Sequence, residues 1–287
     1  MEILTQKRAI IGEGPIWNEV EQKLYYTNGF EKEICVYDFL TKGISAIKLS
    51  FGVSAIAFDK QNNLIVAHNG GVDILNKDGT LRPIYNKSKY SITNCNDMKV
   101  SPNGDIYVGT ISTKRKVQND SELNGKLYKI SANGTVTMLL DNLSLSNGLD
   151  WSIDETKFYH TDSDKSQIKE YNYVKETGEI IYTGRSVIVN GVDGLTISKN
   201  GNIYASCWAR GFVAVIDTAK MELIKTIKIP CQIPTSCAFC GPNLDLLAVT
   251  TASFNQDITI DKNAGFTLIA NVNAQGRKPY RFGEKND

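Results

Sequence analysis

Residues 146–163 read SNGLDWSIDETKFYHTDS, and the fold turns on how that stretch is parsed. GLDW is a short strand opened by a polar residue, Asn147, and TKFYHTD is a β-prone run centred on Tyr159. The second run recurs six times, as QKLYYTN, NNLIVAH, GDIYVGT, TKFYHTD, GNIYASC and LDLLAVT, with middle residues Tyr25, Ile65, Tyr107, Tyr159, Tyr204 and Leu247. Their spacings are 40, 42, 52, 45 and 43 residues, the period of a unit of four short strands in a propeller blade. Asn103-Gly104, Asp78-Gly79, Asn133-Gly134 and Asn200-Gly201 supply turn signals between runs. Long helical periodicity is absent, and no Pro-rich or Ser-rich linker divides the chain. The expectation is an all-β, six-bladed β-propeller with a central channel, one domain spanning 1–287.

The first run recurs in step with the second, as GPIW, AIAF, DMKV, GLDW, GLTI and CAFC. The residues opening these strands are Glu13, Ser54, Asn96, Asn147, Asp193 and Ser236, all polar and all at one phase of the repeat. Equivalent positions on innermost strands form a ring around a propeller axis. Two and four residues further on the positions are mostly apolar, for example Leu149/Trp151 and Leu195/Ile197, as one buried face of a strand requires. Asn147-Gly148 and Asp193-Gly194 are also common turn dipeptides, so a plain turn is the competing reading of each.

A ring that holds Glu13 near Asp193 sets two like charges against each other, worth roughly 4 kcal/mol at about 4 Å and an effective dielectric constant near 20. A bound cation removes that repulsion, and Asn147 adds a neutral oxygen donor. Oxygen donors suit hard ions, Ca²⁺ first, with Mg²⁺ or Mn²⁺ as alternatives, and the borderline ion Zn²⁺ is a further one. Three protein ligands leave positions open for water or substrate, the arrangement of a catalytic centre.

Composition narrows the partners. Lys plus Arg number 32 against 31 Asp plus Glu, so no net field draws nucleic acid or an anionic membrane. The opening MEILTQKRAIIGEGPIW lacks an apolar stretch long enough for a signal peptide, and no later run would span a bilayer. Six cysteines in 287 residues read as reduced thiols, and the expected location is cytoplasmic.

GEGPIW (12–17), NDMKVSPNGDIYVGT (96–110), SNGLDWSIDETKFYHTDS (146–163), VDGLTISKNGNIYASCW (192–208) and TSCAFCGPNLDLLAVTTA (235–252) resemble, in order and spacing, the regucalcin/gluconolactonase/luciferin-regenerating family. GFTLIANVNAQGRKPYRFG near the end resembles its final blade. The resemblance implies a divalent cation on Glu13, Asn147 and Asp193, hydrolysis of a sugar lactone, Asp193 as general base, and Asn96 and Asp97 lining the substrate pocket. Two positions depart from the family. Asn94 stands where sugar-lactone enzymes often carry arginine, and Thr113-Lys114-Arg115 stands where the lid often offers an acid. Asn94 and Lys114 are therefore the substrate-binding positions expected to shift the preferred lactone, toward one bearing a carboxylate or phosphate; the alternative is that Lys114 and Arg115 simply face solvent. A phosphotriesterase on the same scaffold and a non-enzymatic calcium-binding regulator are the other readings of the site.

Other constellations carry less. Cys237 and Cys240 have metal or redox spacing, but three residues along a strand put them on opposite faces. Cys95 lies beside the pocket motif, where it is expected to reach solvent, whereas Cys35, Cys207 and Cys231 read as packing residues. With only His68 and His160, a multi-histidine zinc site is out of reach. His160 reads as structural, and for His68, which follows the second anchor strand, a place near the channel mouth is the lesser of its two readings. No G-x-S-x-G elbow supports a serine triad, and Lys114-Arg115-Lys116 is too short a cluster for nucleic acid.

Overall fold

The computed structural model describes residues 1–115 and 120–283. Among them it contains six four-stranded antiparallel sheets, three short 3₁₀ turns and no α-helix. The fold is an all-β six-bladed propeller. Each repeated pair from the sequence forms the first two strands of one blade. Blade 1 opens with Gly12–Asn18 and Lys23–Asn28, blade 2 with Val53–Phe58 and Leu64–His68, and blade 3 with Cys95–Val100 and Ile106–Thr110. Blade 4 opens with Ser146–Trp151 and Lys157–Asp162, blade 5 with Val192–Ile197 and Ile203–Cys207, and blade 6 with Pro234–Cys240 and Leu246–Thr251. The expected turns form. The Gly104 N–H donates to Ser101 O and the Gly201 N–H to Ser198 O, with both glycines in the left-handed region at φ 77° and 87°, where they meet no Cβ penalty.

The chain forms two compact units. One comprises Met1–Val53 and Val187–Pro279, the other Ser54–Ser186 with the segment from Tyr280 onward. In the first unit, blade 6 is completed by the other end of the sequence: Glu2–Thr5 pairs antiparallel with Thr267–Asn271, Glu2 opposite Ile269 and Ile3 opposite Leu268. The terminal segment does not stay with that blade. From Tyr280 it belongs to the second unit, where the Phe282 N–H donates to Phe58 O at 2.9 Å.

Two of the first strands are buried on both faces, not on one. Every residue of Val192–Ile197 and of Ser146–Trp151 is buried. The reason is that blades pack face against face. Leu149 and Trp151 of blade 4 share a core with Tyr107 and Leu127 of blade 3, while Trp17 of blade 1 packs with Cys240 and Ala248 of blade 6. Trp151 meets Tyr107 edge-on at 4.9 Å between ring centroids, a geometry favourable beyond area burial alone. No helix among the described residues is long and apolar enough to cross a membrane.

Trp151→Ala is therefore expected to cost about 3–5 kcal/mol, read as a lowered urea midpoint. Leu40→Ala, at an exposed turn, should stay within about 0.5 kcal/mol of wild type.

Candidate functional site

The polar positions chosen from the sequence all sit one or two residues inside their first strand, and in blades 1, 3, 4, 5 and 6 the ladder there is irregular. Pairing runs Glu13 with Thr27 and then Ile16 with Tyr25, Cys95 with Thr110 and then Met98 with Val108. It runs Asn147 with Thr161 and then Leu149 with His160, Val192 with Cys207 and then Leu195 with Ala205. In each case the first strand spends one residue more than its partner, which is a β-bulge. A bulge re-aims side chains at the end of a strand. The turn reading of Asn147-Gly148 and Asp193-Gly194 is thereby excluded, since both dipeptides lie within bulged strands.

In the first unit, Glu13 is half-buried and its Oε2 accepts from the Gly14 N–H at 3.2 Å. Its own carbonyl accepts from the Thr27 hydroxyl at 3.3 Å. The carbonyl one residue earlier, on Gly12, accepts from the Thr235 hydroxyl at 2.5 Å. Asp193 is only 5% exposed. The glycine after it has a steric cause: a Cβ on Gly194 would collide with the Ser236 hydroxyl.

In the second unit, Asn147 is buried and Asn96 half-buried. The Asn96 Nδ2 donates to the carbonyl of Ser146, the residue before Asn147, at 2.8 Å. Asp97 is half-buried, and its Oδ1 accepts from the Met98 N–H at 2.7 Å. Desolvation raises its pKa above the usual carboxylate value, and Asp150 adds to the rise, against the opposing pull of Lys99 and the Met98 amide. Lys99 bonds Asp150 itself at 2.9 Å. Asn94 has φ 54°, a left-handed conformation that asparagine tolerates better than most residues, so backbone geometry favours asparagine there apart from any contact with a ligand.

Lys114 is exposed, its N–H donating to the Ser112 hydroxyl at 3.0 Å. Arg115 is not simply a solvent-facing charge: it grips Asp164 with two bonds of 2.6 and 2.7 Å, and Asp164 also accepts from the Ser144 hydroxyl. Lys116 lies outside the described residues. The expectation that Cys95 reaches solvent fails. It is 5% exposed within the core shared by blades 2 and 3, and burial pushes its thiol up to about 12, so it is not a reactive thiolate at neutral pH. Cys237 and Cys240 enter two different core clusters, as opposite faces require.

His68 Nε2 lies 2.6 Å from Asp73 Oδ2, which also pairs with Lys87 at 2.5 Å, and its Nδ1 accepts from the Gly70 N–H. His160 is 1% exposed and shares a 2.7 Å hydrogen bond with the Ser146 hydroxyl. Burial pulls its pKa down to about 3. Ser146, Gly109 and Thr235 were not singled out by sequence reading. A Cβ on Gly109 would strike the Ser146 side chain, and a glycine inside a strand run is the signal that marks such a close approach.

The proposed cation donors are two carboxylates and an amide oxygen, a set whose chemistry fits a hard divalent ion. Among the described residues no three His, Cys, Asp or Glu side chains form a metal-type cluster, so any centre here must draw on an amide or on water.

A propeller whose bulged strand starts present carboxylate and amide oxygens has close counterparts among known proteins. The chain belongs to the SMP-30/Gluconolactonase/LRE-like family, whose model matches residues 11–253. It is 29% identical over 286 residues to the Bacillus subtilis protein named "Putative sugar lactone lactonase YvrE", covering 96% of each chain. It is 27% identical to human regucalcin, covering 98% of each. Among solved structures, a luciferin-regenerating enzyme superimposes with a TM-score of 0.86 at 28% identity, covering 98% of both chains.

Because burial lowers the pKa of His160 to about 3 against about 6.5 when unfolded, the unfolded chain binds the extra proton between those values. Its contribution to stability is present above about pH 6.5 and is lost as pH falls toward 3. The stability gap between wild type and His160→Gln should therefore narrow or reverse between pH 7.5 and 4.5 in urea titrations. Parallel curves would refute this.

Proposed function

We propose that this chain is a divalent-metal-dependent lactonase that opens a sugar-acid or related lactone, working in the cytosol as a single six-bladed domain. The observation that carries the reading is full-length similarity to the lactonase-named relative, joined to a buried carboxyl group, Asp193, set at the bulged start of a first strand. All six cysteines are buried free thiols, which suits a reducing compartment.

Glu13, Asn147 and Asp193 hold the cation in this reading, Ca²⁺ before Mg²⁺, Mn²⁺ or Zn²⁺. When bound, a divalent ion polarises the lactone carbonyl and offsets the charge that develops on its oxygen. Asp193 orients a water and accepts its proton as the water oxygen bonds the carbonyl carbon; that proton then passes to the ring oxygen as the lactone C–O bond breaks, giving the hydroxy acid. Asn96 and Asp97 take substrate hydroxyl groups. Asn94 and Lys114 tune which lactone fits, Lys114 from an exposed position that favours a substrate carrying negative charge.

The test is acid release from five- and six-membered lactones by metal-stripped protein reconstituted with each ion. Asp193→Ala should lose about 10²–10⁴-fold in kcat, and Glu13→Ala should lose both activity and ion affinity. Ion binding without turnover of any lactone would favour a calcium-binding regulator. Paraoxon hydrolysis far above lactone hydrolysis would favour a phosphotriesterase.

A further inference from the structure

We propose that His160 is a positioning residue for this site, acting through Ser146 on the two asparagines beside it, Asn96 and Asn147. The inference rests on the lactonase reading, in which Asn96 meets substrate and Asn147 the cation. It uses contacts within one compact unit only.

Ser146 is fully buried and is held at each of its polar ends. Its hydroxyl shares the 2.7 Å bond with His160 Nε2, and its carbonyl accepts from Asn96 Nδ2 at 2.8 Å. The backbone leading into it is pinned as well: the Ser144 and Leu145 N–H groups donate to the two carboxylate oxygens of Asp162 at 3.0 and 3.1 Å. The side chain has no spare room, because Gly109 lies against it. The next residue is Asn147, and the bulge that follows sets Leu149 opposite His160 on the neighbouring strand.

The Ser146 carbonyl fixes the chemistry of Asn96. A carbonyl oxygen only accepts, so the amide NH₂ of Asn96 must face it and Oδ1 must face away. Asn96 thus presents an acceptor, matched to a hydroxyl or water that donates, and not a donor matched to an oxyanion. Serine hydroxyls rotate freely unless a partner selects one rotamer. His160 is that partner, on the strand paired with the one that carries Asn147.

The experiment compares His160→Phe, which keeps a ring but removes the bond, with His160→Gln, which can still reach the hydroxyl, Ser146→Ala, and the Phe/Ala double variant. Ca²⁺ alone is titrated calorimetrically, kcat and KM are measured on the best lactone, and thermal unfolding reports folding. His160→Phe and Ser146→Ala should each lower kcat/KM about 10- to 100-fold, mostly through KM, since misplacing a positioning group by about 1 Å has effects of up to about 10²-fold. Ca²⁺ affinity should fall in parallel, His160→Gln should recover to within about threefold, and the double variant should be no worse than either single one, as residues acting in series are not additive.

Affinity and kcat/KM within twofold of wild type in both single variants, or additive losses in the double variant, would overturn the proposal even if unfolding temperatures drop. If wild type binds Ca²⁺ but hydrolyses no lactone, the lactonase reading fails while the Ca²⁺ titrations still decide the role of His160. Wild-type protein that does neither overturns both.

Discussion

Burial of the first strand of a blade on both faces constrains everything else in this molecule. In Ser146–Trp151 and Val192–Ile197 no residue faces solvent, so a charge along such a strand needs a partner at once. Asp150 illustrates the rule, being buried and bonded to Lys99 on the first strand of the neighbouring blade. A buried unpaired charge would cost several kcal/mol. The polar positions that the proposed function uses lie at the strand start, where one extra residue interrupts the ladder.

The same solution is used in both compact units to hold those starts still. In one, the Thr235 hydroxyl ties down the carbonyl of Gly12, the residue before Glu13; in the other, the Asn96 amide ties down the carbonyl of Ser146, the residue before Asn147. In each pair the donor comes from the first strand of an adjacent blade. Packing between blades is thus converted into placement of a side chain at the strand start. That is why glycine follows Asp193: close approach of Ser236 leaves no room for a Cβ.

What the sequence made legible follows from which interactions are local. Apolar alternation, turn dipeptides and the repeat near 43 residues are short-range signals, and they located the first two strands of all six blades. The bulges were invisible, because alternation at period two conceals one inserted residue. The closing strand Glu2–Thr5 was missed for a different reason: four residues carry little pattern, and their partner lies at the opposite end of the chain. Cys95 looked accessible beside its sequence neighbours and is buried by spatial ones. Arg115 looked like a lid charge, and its carboxylate partner lies 49 residues away.

The carboxylates of the molecule divide by what their surroundings do to them. Burial of Glu33 would raise its pKa, yet Lys48 and Lys7, at 2.5 and 2.7 Å, hold it below the ordinary value. Burial of Asp73 is likewise outweighed by His68 and Lys87. These groups stay ionised and serve the fold by joining strands. Asp97 is the opposite case: desolvation wins, because the nearby Lys99 is engaged by Asp150 and a single amide N–H is too little compensation. A carboxyl group left partly desolvated at a strand start gives up stability that a lysine contact would have supplied. Glu33 and Asp73 thus act as structural ion pairs, whereas Asp97 carries an uncompensated desolvation cost.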